Sequence, residues 1–467
     1  MDNFKNLNVV VLAAGKGKRM KSSTPKVLHN IIDKPMIYYV LREAVKLNPA
    51  KIYVITGHEH EILENYITIN FPGVICVYQK VQSGTGHAVS LIKDYYDKEM
   101  ESLLVITGDC PLIKSETLIN LVSLQKSGNY SCAVLSAVVD NPFGYGRIVK
   151  NEIGEIIKIV EEVDASPQEK RIKEINTSLY CFNARALFDN ISLLGSNNFQ
   201  KEYYLTDIIE KFAQKSLKTS VLTVDDDSEV SGVNDRVQLC AVGKIMRRRI
   251  NEKLQYFGVA ITDTDTTFIG IDVEIESDAV VEPFSFINGK TIIKKDCIIG
   301  PFAQITDCEI DRGTKVNSAI IKNAKIGKNN NIGPFSYIRP GTVTNEDVKV
   351  GGFCEVKNSI VGSNSKIPHL SYIGDCEIGE NVNIGASSVT CNYDGYRKNR
   401  TIIGDNVFIG SDTMLVPPVI IGRGSIVAAG SVITEDVPED ALAVSRARQI
   451  NMPDGAQKYR KKKEILK

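Results

Sequence analysis

Two different rhythms of apolar residues divide the chain. Up to about residue 228, short and almost wholly apolar runs alternate with stretches that carry apolar residues on one helical face. The runs Val9–Leu12, Ile52–Thr56, Val74–Tyr78, Leu103–Thr107 and Ala133–Val139 read as strands buried on both faces. Met36–Leu47 and Ile113–Gln125, lying between them, have helical spacing. That alternation predicts a largely parallel sheet with helices on both sides.

From about residue 262 the rhythm becomes six. Ile403, Ile409, Leu415, Ile421, Val427 and Ile433 are each six apart, and Ile326, Ile332, Ile338, Val350 and Val356 form another run in which Thr344 is the one polar member. Val361, Ile367 and Ile373 keep a third phase, and Ile378 and Ile384 a fourth. Glycine often follows the aliphatic residue, as at Gly327, Gly351 and Gly385. Neither a helix nor a flat alternating sheet demands that period. A coil of three short strands does, with one inward aliphatic per strand and a glycine helping each turn.

Residues 236–256 are helix-compatible throughout and predict a connecting helical arm, whose run Arg247-Arg248-Arg249 reads as a solvated face rather than a phosphate site. The polar stretch 391–400 separates two registers of the coil, so it must loop out, and loops projecting from a solenoid commonly carry binding residues.

A length of 467 residues exceeds one ordinary core and predicts two domains. Lys+Arg and Asp+Glu are equal at 56 each, so no net field favours nucleic acid or membrane as partner. The basic run Arg460–Lys463 reads as a frayed, solvated terminus. The ten cysteines form no C-x-x-C pair, and the five histidines lack metal-ligand spacing, which points to free thiols in a reducing, cytoplasmic setting. The first apolar run is too short to span a bilayer and no signal-peptide cleavage pattern follows it.

The chemistry collects at strand ends. After the first strand comes Leu12-Ala13-Ala14-Gly15-Lys16-Gly17-Lys18-Arg19-Met20, then Pro25-Lys26. Small residues let backbone amides approach phosphate oxygens, while Arg19 and Lys26 add fixed positive charge. Residues 79–88 supply a second small-residue loop, and Gly108-Asp109 sets a carboxylate at the carboxyl end of a strand, where ligands lie in open parallel sheets. Asp109 is either a turn residue or a hard oxygen ligand for Mg²⁺. In the coil, His369 is the only histidine after His87, and Arg339-Pro340-Gly341, Glu355-Val356-Lys357 and Asn392-Tyr393-Asp394-Gly395 accompany it.

The LAAGKGKRM and PKVL segments resemble those of sugar-nucleotide pyrophosphorylases. With the coil motifs, essentially the whole chain resembles the bifunctional N-acetylglucosamine-1-phosphate uridylyltransferase / glucosamine-1-phosphate N-acetyltransferase family. That resemblance implies an α/β plus β fold. It divides the chain into a Rossmann-like uridylyltransferase (pyrophosphorylase) domain over 1–228, a linker and helical arm over 229–256, and a left-handed parallel β-helix of hexapeptide repeats over 257–467. It implies acetyl transfer from acetyl-CoA to glucosamine-1-phosphate. Uridylyl transfer from UTP to the product then releases pyrophosphate and yields UDP-N-acetylglucosamine, a peptidoglycan and lipopolysaccharide precursor.

Carried over onto matching positions, Leu12, Ala13, Ala14, Gly15, Gln79, Gly84 and Thr85 would hold the uridine nucleotide, and Arg19 and Lys26 would meet its phosphates. Asp109 and Asn234 would bind Mg²⁺, and Gly146, Glu161 and Asn176 would contact the sugar. In the coil, Arg339, Lys357, Tyr372, Asn383, Asn392 and Tyr393 would bind the amino-sugar phosphate, with His369 as general base. Ala386, Ser411, Ala429 and Arg446 would line the acetyl-CoA groove. The family also implies a homotrimer with acceptor sites formed between subunits. Two departures stand out: Asp33 where the family usually has Gly, in a turn whose left-handed geometry Asp tolerates, and Ser387-Ser388 where relatives often have Gly-Thr. A single-activity sugar-1-phosphate nucleotidyltransferase with a structural or regulatory coil is the alternative, and His369, Lys357 and the 391–400 loop argue against it.

Overall fold

A computed structural model describes residues 4–465 and divides them between two compact units meeting at Met246/Arg247. In the first unit the chain runs β1 (Leu7–Leu12), the ribbon β2 (Asn30–Ile31) and β3 (Lys34–Pro35), then α1 (Met36–Val45) and β4 (Lys51–Thr56). It continues through α2 (His60–Asn70), β5 (Ile75–Tyr78), α3 (Thr85–Ser90), β6 (Ser102–Thr107), α4 (Ser115–Ser127) and β7 (Cys132–Val138). Then come β8 (Gly146–Lys150), β9 (Ile156–Val160), β10 (Glu174–Asn183), α5 (Ala184–Asn190), α6 (Asp207–Gln214) and β11 (Thr219–Thr223).

Each of the five sequence-predicted strands and both helices is present within two residues of its expected ends. The sheet order is β11-β7-β10-β6-β1-β4-β5, with β8 and β9 attached beside β10. The parallel pairs β6-β1-β4-β5 put the carboxyl ends of four strands on one edge, where the glycine loops emerge. The expectation of a largely parallel sheet needs a correction here. β10 runs antiparallel to both β6 and β7, and β8 and β9 are antiparallel as well. Alternating strands and helices cannot disclose that a later strand inserts backwards between two earlier ones. Two apolar layers, around Val9–Val54–Leu104 and around Val10–Ile55–Val105, cover the two faces.

The start of the presumed linker is no linker. Val230 and Val233 are buried and Glu229 is 6% exposed, so the chain up to α7 (Arg236–Tyr256) packs in the first unit. The helical arm has the residues expected of it. Its basic run is not uniformly solvated: Arg247 pairs with Asp265 at 3.0 Å and its guanidinium lies 4.9 Å from the Phe268 ring centre.

The second unit is a parallel β-helix of three sheets with eleven, ten and nine strands. The six-residue phases become vertical stacks. Ile332, Val350 and Ile367 follow one another on the first sheet, Ile338, Val356 and Ile373 on the second, and Ile326, Thr344 and Val361 on the third. Every one is buried. Thr344 survives in this core because its Oγ1 accepts from Asn330 Nδ2 at 3.0 Å and from Gly327 N at 3.3 Å.

Gly333, after Ile332, has the left-handed φ of +104 that a turn glycine supplies, but Gly327, Gly351 and Gly385 do not. A Cβ on Gly327 would lie 2.3 Å from the Asn345 carbonyl oxygen, so glycine is required by close stacking of coils, while the left-handed turn falls on Asn329. Likewise the positive φ in the β2–β3 turn is at Ile32, not at Asp33. The basic C-terminal run is solvated but helical, as α8 (Gly455–Glu464). All ten cysteines are free thiols, and among the described residues no helix is long and apolar enough to cross a membrane.

Candidate functional site

The loops leaving β1, β4, β5 and β6 enclose an open cleft of about 930 Å³. Leu12, Ala13, Ala14, Gly15, Lys26, Gln79, Gly84, Thr85 and Asp109 all line it. Close backbone packing shapes the walls. A Cβ on Gly57 would lie 2.5 Å from the Ala14 carbonyl oxygen, which also accepts from Gln82 Nε2 at 2.8 Å. Gly84 has φ +105, and a Cβ there would lie 2.6 Å from the Tyr203 carbonyl oxygen. Gln79 is buried and donates to the Gly84 carbonyl at 3.2 Å, tying β5 to the start of α3.

Arg19 is exposed on a short 3-10 turn and is not among the cleft-lining residues. Sequence reading passed over His58, Gln82 and Ser178, which do line the cleft. Gln82 sat inside the second loop, whereas Ser178 is brought there by the irregularity between Asn176 and Tyr180 of β10, which no spacing rule reveals.

Charge concentrates at one end of the cleft. The Lys26 ammonium contacts the Asp109 carboxylate and donates to Asn234 Oδ1 at 3.2 Å. Two protein oxygens, one of them anionic, therefore already converge on a single cation. That donor set fits a hard divalent ion, whose remaining positions phosphates and water would fill. Burial, then the Asp109 charge, push the neighbouring Cys110 thiol up to about 12, so it stays protonated. Gly146 and Asn176 are paired across β8 and β10, and a Cβ on Gly146 would lie 3.5 Å from Glu161 Oε2. Thr206 Oγ1 donates to Glu161 Oε1 at 3.3 Å, and burial raises the Glu161 carboxyl above its ordinary value. Arg147, buried on β8, pairs at 2.7 Å with the half-buried Glu162 just past β9.

On the coil the expected residues fall into separate sets. His369 ends the strand Lys366–His369 and is exposed. On the same corner of later coils the carbonyl of Ala386 accepts from Asp412 N, that of Ser411 from Gly430 N, and that of Ala429 from Arg446 Nη1, at 2.7, 2.8 and 2.7 Å. Ala386, Ser411, Ala429 and Arg446 thus form one column above His369. Glycine keeps the column flush: a Cβ on Gly385 would lie 2.4 Å from Ser411 N. Ser388 fits this packing, with its hydroxyl donating to the Gly385 carbonyl at 2.7 Å.

The next corner carries the other set. Arg339 N donates to the Val356 carbonyl at 2.8 Å, Lys357 pairs with Gly374, and Glu355 pairs with Tyr372. Arg339 is tied to Glu355 at 2.6 Å. Asn392 reaches back from the 391–400 loop, donating to Tyr372 Oη at 3.4 Å and to the Asp375 carboxylate. Burial would raise the Asp375 carboxyl, but hydrogen bonds from Asn358 and Asn392 outweigh it and hold the group low. Lys398 of the same loop comes close to Lys357 on the coil, and the neighbouring positive charge lowers the Lys398 ammonium from its ordinary value. Tyr393 is 62% exposed at the loop's edge. Asn383 stands apart from this set, on the face shared with Lys366 and Phe408.

Residues 8–228 match the nucleotidyl transferase family, 269–367 the GMPPB C-terminal domain, and 400–435 the bacterial transferase hexapeptide (six repeats). The chain is 45% identical to the bifunctional protein GlmU of Carboxydothermus hydrogenoformans over 95% of this chain and 99% of that one. It is 46% identical to that of Thermoanaerobacter pseudethanolicus over 98% and 99%, and 47% identical to that of Fervidobacterium nodosum over 99% of both. With identity of this level along nearly the full length of both units, the chain belongs to the family of the bifunctional protein GlmU.

Proposed function

We propose that the chain acetylates glucosamine-1-phosphate with acetyl-CoA on its coil and transfers uridylyl from UTP to the product in its first unit, forming UDP-N-acetylglucosamine. The observation that carries this reading is the presence, in one chain, of an open cleft at the ends of parallel strands with Lys26, Asp109 and Asn234 and of a coil bearing His369 beneath a column of small residues. A coil that served only for assembly would not need an exposed imidazole beside that column.

In uridylyl transfer the sugar-phosphate oxygen attacks the α-phosphorus of UTP in line, and pyrophosphate leaves with the bond's electron pair. Such a reaction needs positioning and charge neutralisation rather than a protein nucleophile. The amides of residues 12–15 and 84–85 orient the nucleotide, and Lys26 faces its phosphates. Asp109 and Asn234 would hold Mg²⁺, which would supply charge neutralisation on the leaving pyrophosphate. Gly146, Glu161 and Asn176 orient the acetamido sugar, so glucosamine-1-phosphate is a poor acceptor there.

In acetyl transfer His369 takes a proton from the sugar amine as its nitrogen attacks the thioester carbonyl. The CoA sulfur leaves as thiolate and is protonated to the thiol. Arg339, Lys357, Tyr372, Asn392 and Tyr393 fix the amino-sugar phosphate, with Asn383 contributing from a different face. Ala386, Ser411 and Ala429 let the pantetheine arm lie against the coil, and Arg446 closes its end.

One chain holds these residues on two corners, which a homotrimer would reconcile by facing one corner against another chain's. The His369 corner also carries Phe284, Phe302, Phe335, Phe353 and Leu370, each 47–64% exposed, an apolar edge suited to burial between subunits. UTP and acetyl-CoA as substrates place the enzyme in the cytoplasm. Incubation with glucosamine-1-phosphate, acetyl-CoA, UTP and Mg²⁺ tests the whole, reading CoA thiol and pyrophosphate separately. Pyrophosphate released with no CoA thiol at any time would leave a single-activity nucleotidyltransferase.

A further inference from the structure

From residue 229 to 235 the chain forms a strap across the connection between β6 and α4. One end is fastened at the start of α4. The Glu229 carboxylate, 8% exposed, accepts from Lys114 Nζ on Oε1 at 2.6 Å and from Thr117 Oγ1 on Oε2 at 2.6 Å. Lys114 is the cap of α4 and Thr117 lies in its first turn, where the helix dipole also favours a carboxylate. The other end is fastened beside the cleft, where Val233 N donates to the Asp109 carbonyl at 2.9 Å. Val230 and Val233 are buried between the two fastenings. The next residue, Asn234, turns its Oδ1 toward Lys26, and Asp235 then caps α7 through the amides of Val237 and Gln238.

We propose that Glu229, clamped by Lys114 and Thr117, is a positioning residue for uridylyl transfer that sets Asn234 opposite Asp109 for a divalent cation. The proposal rests on the reading of Asp109 and Asn234 as the cation's protein ligands. The reason is mechanical. Cation–oxygen distances tolerate about 0.2 Å, and Asn234 is on a loop with no strand or helix of its own to hold it. The Val233–Asp109 bond and the Asn234 N–H, which donates to Gln238 Oε1 at 2.7 Å, hold the downstream end of that loop, and the buried carboxylate five residues upstream of Asn234 fixes the other end. An unpaired carboxylate at that depth would be costly, so Lys114 and Thr117 act with it as one unit.

The test uses the full-length protein carrying Glu229→Ala, Glu229→Gln or Thr117→Val. Mn²⁺ binding in the presence of UTP is followed by electron paramagnetic resonance, and amide exchange is followed in metal-free protein. Glu229→Ala is expected to weaken Mn²⁺ binding by about 10-fold, the scale on which groups behind metal ligands act, with Glu229→Gln recovering most of it. Peptides covering 230–235 should exchange faster, while those covering β6 stay protected. The Mg²⁺ concentration for half-maximal pyrophosphate release should rise by the same factor, and acetyl transfer should not change. Unchanged Mn²⁺ affinity in Glu229→Ala, or exchange that rises equally across the sheet, overturns the proposal. Should Glu229→Ala fail to fold, Thr117→Val decides: a threefold loss of Mn²⁺ affinity supports the clamp and no loss overturns it. A wild type that binds no Mn²⁺ with UTP overturns the cation site itself, an outcome distinct from the failure of the clamp.

Discussion

Lys26 donates from its ammonium to the Asp109 carboxylate, joining residues 83 positions apart across the cleft. On the proposed reading a divalent ion would compete with Lys26 for this carboxylate, leaving the Lys26 ammonium to face the nucleotide phosphates. Asp109→Ala is expected to lower pyrophosphate release by about 10²–10³-fold, the scale of one lost electrostatic element in a closed site. CoA release should be unaffected. Parallel loss of both activities would refute separate sites.

His369 is exposed and its ring makes no hydrogen bond among the described residues, so it contributes little to folding. His369→Ala should lower the acetyl-transfer kcat by about 10²–10⁴-fold. Melting temperature, oligomer size and uridylyl transfer to supplied N-acetylglucosamine-1-phosphate should stay at wild-type values. Near-normal CoA release would remove His369 from the mechanism. Glu355 is a weak substitute, being tied to Arg339 at 2.6 Å.

Truncation locates the end of the first unit. A fragment ending at 228 loses Val230, Val233 and Asn234, so it should be less stable and inactive in uridylyl transfer. A fragment ending at 246 keeps them and should retain uridylyl transfer while lacking acetyl transfer. Equal uridylyl activity in the two fragments would show that Asn234 is dispensable.

Inside the coil, Asn330 donates to Thr344, to the carbonyls of Gly327 and Asn345, and accepts from Val348 N at 2.6 Å. Asn330→Ala takes their side-chain partner from the Val348 amide and the Asn345 carbonyl and should cost about 2–4 kcal/mol, whereas Thr344→Val leaves Asn330 most of its partners and should cost about 1 kcal/mol. The double variant should cost less than the sum, because the two share one network. Chemical denaturation of the four proteins checks this, and strict additivity would contradict it.

Burial holds the Glu161 carboxyl above its ordinary value against an opposing hydrogen bond from Thr206. A folded value above the unfolded one means that ionisation costs more in the folded state. Stability is therefore lost as pH rises through the unfolded value and levels off above the folded one. Glu161→Gln should melt higher than wild type near pH ~7, by a margin that closes near pH ~4, while its use of the acetamido sugar falls. Equal melting temperatures near neutrality would show that the carboxyl carries no such penalty.

Much of the molecule was legible before folding. The six-residue period depends on one residue type per strand, so it named the inward column of the coil, Thr344 included. The buried strands of the first unit were legible because apolar runs between polar ones have few other uses. The first-unit cleft was also largely legible, since loops at the ends of parallel strands bring Leu12–Gly15, Gln79, Gly84, Thr85 and Asp109 together by topology alone. The Phe284, Phe302, Phe335 and Phe353 edge, with its 18- and 33-residue spacings, stands outside the six-residue signal because these side chains are exposed and burial fixes only the inward positions.

What the sequence by itself determined, then, was whatever short-range periodicity encodes: strands, helices, the coil and the loops at their ends. Tertiary structure alone decided the antiparallel insertion of β10, the entry of Ser178 into the cleft, the exclusion of Arg19, the clamp on Glu229 and the division of the coil residues between two corners. Each of these depends on contacts between residues far apart in the chain. Such contacts are set by packing and by the partners available to buried polar groups, and the residues involved carry no local mark of where their neighbours will be.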